Sequence, residues 1–415
     1  MSDAMGDAPP PAGFATWAEY WTKRHSQPWR TEPEIDDERR VYLAERRAIA
    51  PNIAKCIYPF RDERGGIALT RADVEWLLAT HESGGLAGPV EWDDSAHRRR
   101  SGLDLRGADL SGVNLSSLPL SRLRGGLAGD EFLGTTMDQF QAAAIRLIGA
   151  KLQFAHLEGS VLTFGRLDGI DLSSAHLESA DLYRAHFEAE HLGDIGRVVF
   201  DSSTILNHIV LANSKGVSPQ LADVLWNGAI LSAVEWEPVR MLGEEYTARY
   251  GTIKKPWSSA LGEYPSAVRA NRQVSAVLRG QGLHEEADRF AYRAHSLQRI
   301  VFWRQRHYLR ASGSWLLDLI SGYGYKPLRS FVVYLLVVGA FALAYYLLGD
   351  HVSPPLDPLG AVIFSVTSFH GRGFAPGENV ALTNPLTVFA AVEAIIGLLI
   401  EITFIATFTQ RFFAR

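Results

Sequence analysis

Apolar positions follow three different beats along this chain. Between Leu103 and Trp236 a large apolar residue recurs every five positions: Leu105, Leu110, Leu115 and Leu120, then Leu147, Leu152, Leu157, Leu162, Leu167, Leu172, Leu177, Leu182, Phe187 and Leu192. Two residues earlier the side chain is usually small, as at Ala108, Ala150, Ala155, Ser160, Ala175, Ala180 and Ala185. A period of five matches neither the 3.6 of an α-helix nor the 2 of a strand, so these residues predict a repeat architecture. From Phe331 the beat is replaced by continuous apolar runs. Phe331–Leu348 holds eighteen residues without a charge, and Leu386–Thr409 is nearly all apolar. Between them a short run, Leu359–Phe369, leads into the Gly-rich string HGRGF. Helical spacing marks the rest. It is seen over Ile35–Ile49, after the capping box Thr70-Arg-Ala-Asp73, and in a pair of amphipathic segments, Ser266–Arg279 and Glu285–Arg310, separated by Gly280-Gln-Gly282.

The repeat units ADLSG, AKLQF, AHLES and ADLYR closely resemble the pentapeptide-repeat family, whose consensus is A(D/N)LXX. The resemblance implies a right-handed quadrilateral β-helix with four pentapeptides per coil. One large and one small inward residue per side would fill a narrow square core. A shifted beat continues at Phe200, Ile205 and Val210, and again at Trp226, Leu231 and Trp236. Together these predict five coils, a rod of about 24 Å at the usual strand spacing. Residues 121–143 and 212–222 are expected to leave the coil as insertions. Exposed coil edges invite aggregation, so a mostly helical N-terminal cap is expected to cover one end.

The predicted organisation is multidomain. Residues 1–100 form the helical N-terminal cap, 101–236 the pentapeptide-repeat β-helix, and 237–327 a cytoplasmic helical linker, which opens on the Pro- and Lys-bearing connection 237–262. The linker ends in an interfacial helix around Trp315. Residues 328–415 form a transmembrane domain with a first span 331–348, a pore helix 359–369, a filter-like loop 370–376 and a second span 386–409. Eighteen helical residues reach about 27 Å, enough for a bilayer core of about 30 Å. Lys326 and Arg329 precede the first span and Arg411 and Arg415 follow the second, while the intervening loop carries Asp350, Asp357, Glu378 and only Arg372. The positive-inside rule therefore predicts an inner-membrane protein with both termini cytoplasmic. The opening MSDAMGDAPPPAGF has no basic and apolar leader, which fits that placement.

Asp357-Pro358 is a strong helix start, and the helix it opens is too short to span. Gly-rich backbone after such a helix is tolerated at membrane depth only where it lines water or is buried in protein. Layout and order here resemble the two-helix pore domain of potassium-type channels. Ser365-Val-Thr-Ser-Phe-His-Gly-Arg-Gly-Phe-Ala-Pro376 is similar to that family's pore-helix end and filter. The family's T-V-G-Y-G-D string falls on Gly371, Arg372, Gly373, Phe374, Ala375 and Pro376, so Gly373 is kept and Phe374 replaces the tyrosine. The resemblance implies a homotetramer and assigns the filter-like pore loop to Thr367, Ser368, His370, Gly371, Arg372, Gly373 and Phe374, with a nonstandard filter. It also implies that the Arg372 side chain lies behind the filter, where Glu393 is the candidate brace and Glu378 another. The other arrangement is a lumenal arginine ring. Glu393, Gly397 and Glu401 lie four apart on one stripe of the second span, and a carboxylate at mid-membrane is expected to face protein or water. Glu401 reads equally as a cation-attracting inner-pore group or as an interhelical partner, with Gly397 a possible bend.

Charge and composition change this picture little. The chain has 41 Lys and Arg against 46 Asp and Glu, but residues 105–236 carry 15 acids to 9 bases and residues 269–329 carry 11 bases to 4 acids. The basic segment suits anionic lipid headgroups or an intersubunit surface. His97-Arg-Arg-Arg100 reads as a solvated charge cluster. Cys56 is the only cysteine, and there is no phosphate-cradling loop, metal spacing or nucleophile elbow, so no enzyme, cofactor or metal is expected. His156, His176, His186 and His191 fall at non-core repeat positions, open to a pH-sensing role or to none. The function expected is a tetrameric ion channel passing monovalent cations, with membrane lipids around it and an unknown cytoplasmic partner or ligand at the β-helix. The alternative is a membrane-anchored pentapeptide-repeat adaptor without conduction. No nucleic acid is expected, although some pentapeptide-repeat rods mimic DNA.

Overall fold

The five-residue beat becomes a stack of coils in the computed structural model of the chain. The structure describes residues 9–187, 193–250, 257–348, 356–371 and 385–413. Two compact units divide the chain, Met1–Ala287 and Asp288–Arg415.

In the first unit, parallel β-bridges join residues one coil apart. Lys151 pairs with Asp171, His156 with His176, Val161 with Asp181 and Arg166 with His186, each 20 residues on. Four ladders therefore run along the stack, one for each pentapeptide of a coil. The ladder 104–124–161–181–205 threads five coils, as do 114–151–171–194–220 and 119–156–176–199–225. The inward positions are filled as the beat requires. Leu152, Leu157, Leu162, Leu167, Leu172, Leu177 and Leu182 are buried, and so are the small residues Ala150, Ala155, Ser160, Ala175, Ala180 and Ala185. Leu192 lies outside the described residues.

Three expectations about the coil are corrected. The first excursion starts later than residue 121. Arg124 pairs with both Asp104 and Val161, so the coil continues through Gly125. The leucine beat is broken there because a Cβ on Gly125 would stand 2.7 Å from Ile145 Cγ2, which fills the inward site instead. The chain then leaves through a short helical turn and α4 (Met137–Ala143) and rejoins the ladder at Arg146. Second, the inward residues near the end of the rod are Leu206, Ile209 and Leu211, not Ile205 and Val210. An extra residue between Phe200 and Leu206 shifts the beat, and Thr204 Oγ1 anchors the slip by donating to Leu177 O at 3.0 Å. Third, the later excursion is shorter than 212–222, because Gln220 is already back on the ladder against Asp194.

Both edges of the stack meet other elements. Helices α1 (Trp17–His25), α2 (Asp37–Arg47) and α3 (Arg71–Ala79) precede the coils. Two short antiparallel hairpins accompany them, β1 (Arg61–Asp62) with β2 (Gly65–Gly66) and β3 (Glu82–Ser83) with β4 (Leu86–Ala87). Ala68 bridges in parallel to Asp109, and Leu69 N donates to Asp109 O at 3.0 Å, which extends one ladder by a step. Arg71 Nη1 donates to the carbonyls of Asn114 and Ser116. Arg100, expected in a solvated cluster, is buried; it donates to the carbonyls of Ser83, Leu86, Gly88 and Pro89, tying β3 and β4 to the loop after them. At the far end, the residues read as a linker contain α5 (Gly243–Tyr250), followed by α6 (Trp257–Gly280). Glu244 Oε1 accepts from Leu221 N at 2.7 Å and Ala222 N at 2.5 Å. Gln273 exchanges hydrogen bonds with Asp223, and Gln281 with Leu231 N and Ala229 O. Side chains thus satisfy backbone and side-chain groups of the last coil that have no further coil to pair with.

Helix α7 (His284–Arg304) passes from the first unit into the second, which continues with α8 (Tyr308–Ser321), α9 (Pro327–Leu348), α10 (Pro358–Phe369) and α11 (Pro385–Phe413). Gly322 ends α8 in the left-handed conformation, φ 56°, its N–H reaching back to Asp318 O and Leu317 O. Asp318 gathers the local basic charge, accepting from Arg299 at 2.7 Å, Arg329 at 3.1 Å and Tyr292 at 2.9 Å. Burial pushes its carboxyl up, but the Arg299 and Tyr292 bonds outweigh this and hold it below the ordinary carboxylate range.

Candidate functional site

α9 and α11 are long and apolar enough to cross a membrane, with mean hydropathies of 2.4 and 2.3 over Leu328–Leu348 and Pro385–Ala406. Only 17% of the most apolar stretch of either helix is buried. Leu335, Leu336, Leu343 and Leu347 on α9, and Ile395, Leu398, Leu399, Ile402 and Ile405 on α11, stand exposed. The core helix of a water-soluble protein is mostly buried, whereas these helices present apolar surface on most sides.

The buried minority of positions forms one narrow contact between α9, α10 and α11. On α11 it is the stripe Leu386, Glu393, Gly397 and Ile400; on α9, Val338, Ala342 and Tyr345; on α10, Ala361, Phe364, Ser365, Ser368 and Phe369. Asp357 caps α10 by accepting from Gly360 N at 2.9 Å, and Pro358 occupies its first turn. Phe364 packs edge-on against Tyr345 at 4.7 Å, and Phe369 against Tyr334 at 4.8 Å.

Glu393 sits at the centre and is fully buried. Tyr345 Oη donates to one carboxylate oxygen at 2.7 Å and Ser365 Oγ to the other at 2.5 Å, so a single residue of α11 ties α9 to α10. One turn on, Gly397 lets α11 touch the end of α10. A Cβ there would overlap the Phe369 carbonyl oxygen and stand 2.9 Å from its carbon. Another turn on, Glu401 is half-buried and bonds His370 Nδ1, the residue that closes α10. Glu393, Gly397 and Glu401 therefore all contact α9 or α10.

Among the filter-like residues, Thr367 is half-buried and turns its hydroxyl back to the Ile363 and Phe364 carbonyls. Ser368 is buried, His370 is exposed, and Gly371 takes φ 65°, where the chain turns away from α10. Arg372, Gly373 and Phe374 lie outside the described residues, as does Glu378. Tyr345 and Ser365, the partners of Glu393, escaped the sequence reading. A mid-membrane glutamate demands donors, but nothing in the sequence marks which side chains supply them.

A second cluster lies on the coil face. The repeats Ala155-His156-Leu157-Glu158 and Ala175-His176-Leu177-Glu178 sit one coil apart, so like residues stack. The two imidazoles are parallel, 5.2 Å apart, and each bonds the glutamate two residues on, at 2.8 Å and 3.1 Å. Ser121 Oγ donates to the buried Glu158 at 2.7 Å. Ligand atoms of Glu158, His176 and Glu178 lie within 4.8 Å of one another, an arrangement that could hold a metal ion. The Glu158 bond raises the His156 pKa against the effect of burial. Burial pushes Glu158 up, but His156 and Ser121 outweigh it and hold its carboxyl below the ordinary range.

Comparison with known proteins bears on the coils alone. Residues 150–188 match the family described as pentapeptide repeats, in eight copies. Among solved structures the chain is similar to HetL, a pentapeptide repeat protein involved in heterocyst differentiation regulation from the cyanobacterium Nostoc. That match has 24% identity and a TM-score of 0.20, and covers 32% of this chain and 55% of HetL. It is also similar to a trypsin-treated form of QnrB1, a plasmid-mediated fluoroquinolone resistance protein, at 14% identity and a TM-score of 0.17, covering 32% of this chain and 65% of QnrB1. No curated protein matches the chain. Residues 150–188 are a run of pentapeptide repeats, and this chain joins them to two helices fit to span a membrane.

Proposed function

We propose that this chain is one subunit of a homotetrameric ion channel of the cell membrane. It conducts monovalent cations through a nonstandard pore loop and carries its pentapeptide repeats as a cytoplasmic regulatory or interaction module. The observation that carries this reading is the bracing of α10. A helix too short to span is capped by Asp357, tied to both long helices through Glu393 and seated on Gly397. Two helices serving only as an anchor need no such brace.

In this account the repeats form a right-handed, four-sided β-helix, and residues 1–100 cap its first coil. α9 and α11 are the spans, and their exposed apolar faces meet lipid and neighbouring subunits. The carboxyl end of α10 carries the negative end of its dipole, which favours a cation nearby. His370 and Gly371 begin the loop that leaves that end, and Gly-rich backbone of this kind exposes carbonyls to a permeating ion. Glu401, held against His370, adds negative charge close to the same place. Purified protein in liposomes loaded with KCl provides the test. Protein-dependent K+ efflux is expected, reduced by Glu393→Ala; efflux no faster than from protein-free liposomes would leave the adaptor reading in its place.

A further inference from the structure

A cleft of about 930 Å³ lies between one face of the coil stack and the excursion that carries α4. One wall is a ladder. Arg146, Arg166 and His186 are successive stations of it, so two guanidinium groups and an imidazole are stacked coil upon coil. Arg61 of β1 and Arg184 bring the lining arginines to four, while Met137 and Phe164 supply apolar surface.

Among the described residues, charge in this cleft is not balanced from within. The described acids that line it are Asp138 and Glu235, and Glu235 is engaged by His208 at 3.4 Å. Arg166 has a carboxylate at 2.9 Å, Asp168, but the nearest to Arg146, Asp109, is 3.7 Å away. Among the described residues the Arg61 guanidinium makes one long bond, 3.5 Å, to Ala142 O. Arg184 forms no ion pair among the described residues. Its Nε is buried without a hydrogen-bond partner, and its guanidinium lies 5.8 Å and 5.7 Å from the Phe164 and Tyr183 ring centres. Like charges converging in a concave, partly desolvated site focus a positive potential that an anion relieves.

We propose that this cleft binds a small phosphate-bearing organic anion of nucleotide size. Guanidinium forks arriving from several directions match the oxygens of a phosphate dianion. The volume falls within the range of small-molecule sites, about 300–1,000 Å³, and exceeds what a bare phosphate fills. Met137 and Phe164 give the remainder of the ligand an apolar surface. A concave cleft of this volume suits a small molecule better than the surface of a macromolecule. This assignment stands apart from conduction, because binding is read without any current.

The test is isothermal titration of the full-length protein in detergent micelles, at fixed ionic strength, with adenosine 5′-monophosphate, adenosine and inorganic phosphate. The monophosphate is expected to bind, inorganic phosphate more weakly and adenosine not at all. Arg166→Gln and Arg184→Gln should each weaken binding by about tenfold or more, as expected for losing a charge-assisted pair. Arg184→Gln should keep the parent unfolding temperature without ligand, whereas Arg166→Gln also breaks the pair with the buried Asp168 and should lower it. Arg184→Lys, which keeps charge but loses the fork, should bind with an affinity between parent and Arg184→Gln. Adenosine binding as well as its monophosphate, unchanged affinity in both Gln variants, or no heat from any probe would overturn the assignment. So would tighter binding of a polyglutamate peptide, which would make the cleft a protein-docking surface.

Discussion

Gly397→Ala isolates the contact on which the arrangement of α10 depends. The added Cβ would overlap the Phe369 carbonyl oxygen and stand 2.9 Å from its carbon and 3.1 Å from a ring carbon of the same residue. Carbon pairs prefer about 3.5–4.0 Å, so the end of α10 must retreat by about 1 Å. It cannot retreat freely. Phe369 is buried among Ile320, Val338 and Ile400, and Glu393 holds the preceding turn through Ser365. Overpacking of this kind costs about 1–3 kcal/mol. The matched control is Gly339→Ala on α9, where a Cβ meets nothing within 4 Å. Equilibrium unfolding in mixed micelles should show the full loss for Gly397→Ala and almost none for Gly339→Ala. Gly397→Ala with parent stability, or equal losses in the two variants, would refute the seating of α10 on α11.

Glu393→Ala should cost more than Glu393→Gln in the same assay. Alanine strands the buried Tyr345 hydroxyl, at about 1–3 kcal/mol, and leaves Ser365 only the Val338 carbonyl, whereas glutamine keeps an acceptor. Burial pushes the Glu244 carboxyl up to about 7 against an ordinary 4.5, so the folded protein binds this proton more tightly than the unfolded chain does. Stability should therefore fall as pH rises from 4.5 to 7, and Glu244→Gln, which still accepts from Leu221 and Ala222, should flatten that slope in melting curves. The His156–Glu158 pair has the opposite pattern on its two sides. The raised His156 pKa gives stabilisation complete below 6.5 and lost as pH rises through its folded value. The lowered Glu158 pKa gives stabilisation complete above 4.5 and lost as pH falls through its own. The difference in melting temperature between parent and His156→Ala should thus be greatest between pH 4.5 and 6.5. Gly126→Ala should destabilise the coils, because its Cβ would stand 2.5 Å from the Thr163 carbonyl oxygen.

The coil was the most legible part of the chain. A leucine at every fifth residue leaves few alternatives, because each inward position of a narrow core takes one side chain and the period survives from coil to coil. Where the reading slipped, a single residue masked the rule. Gly125 stands at a leucine station because Ile145 fills the space from across the excursion. One inserted residue before Leu206 exchanged the inward and bridging positions, so Ile205, which kept the apolar beat, is exposed. α10 was legible from Asp357-Pro358. The donors to Glu393 were not, because Tyr345 and Ser365 reach it from 48 and 28 residues away. The arginine cleft was invisible for a similar reason. Arg61, Arg146, Arg166 and Arg184 look unremarkable in sequence, and only the coil period and the excursion between Gly125 and Ile145 bring them together.

Planar bilayer recording tests the central claim most directly. Purified full-length protein would be incorporated and reversal potentials measured in asymmetric KCl and then NaCl. Discrete single-channel currents are expected, reversing toward the cation equilibrium potential. Bilayers that stay silent across voltage and in the presence of cytoplasmic nucleotides, while the protein is shown to be inserted, would contradict the channel account.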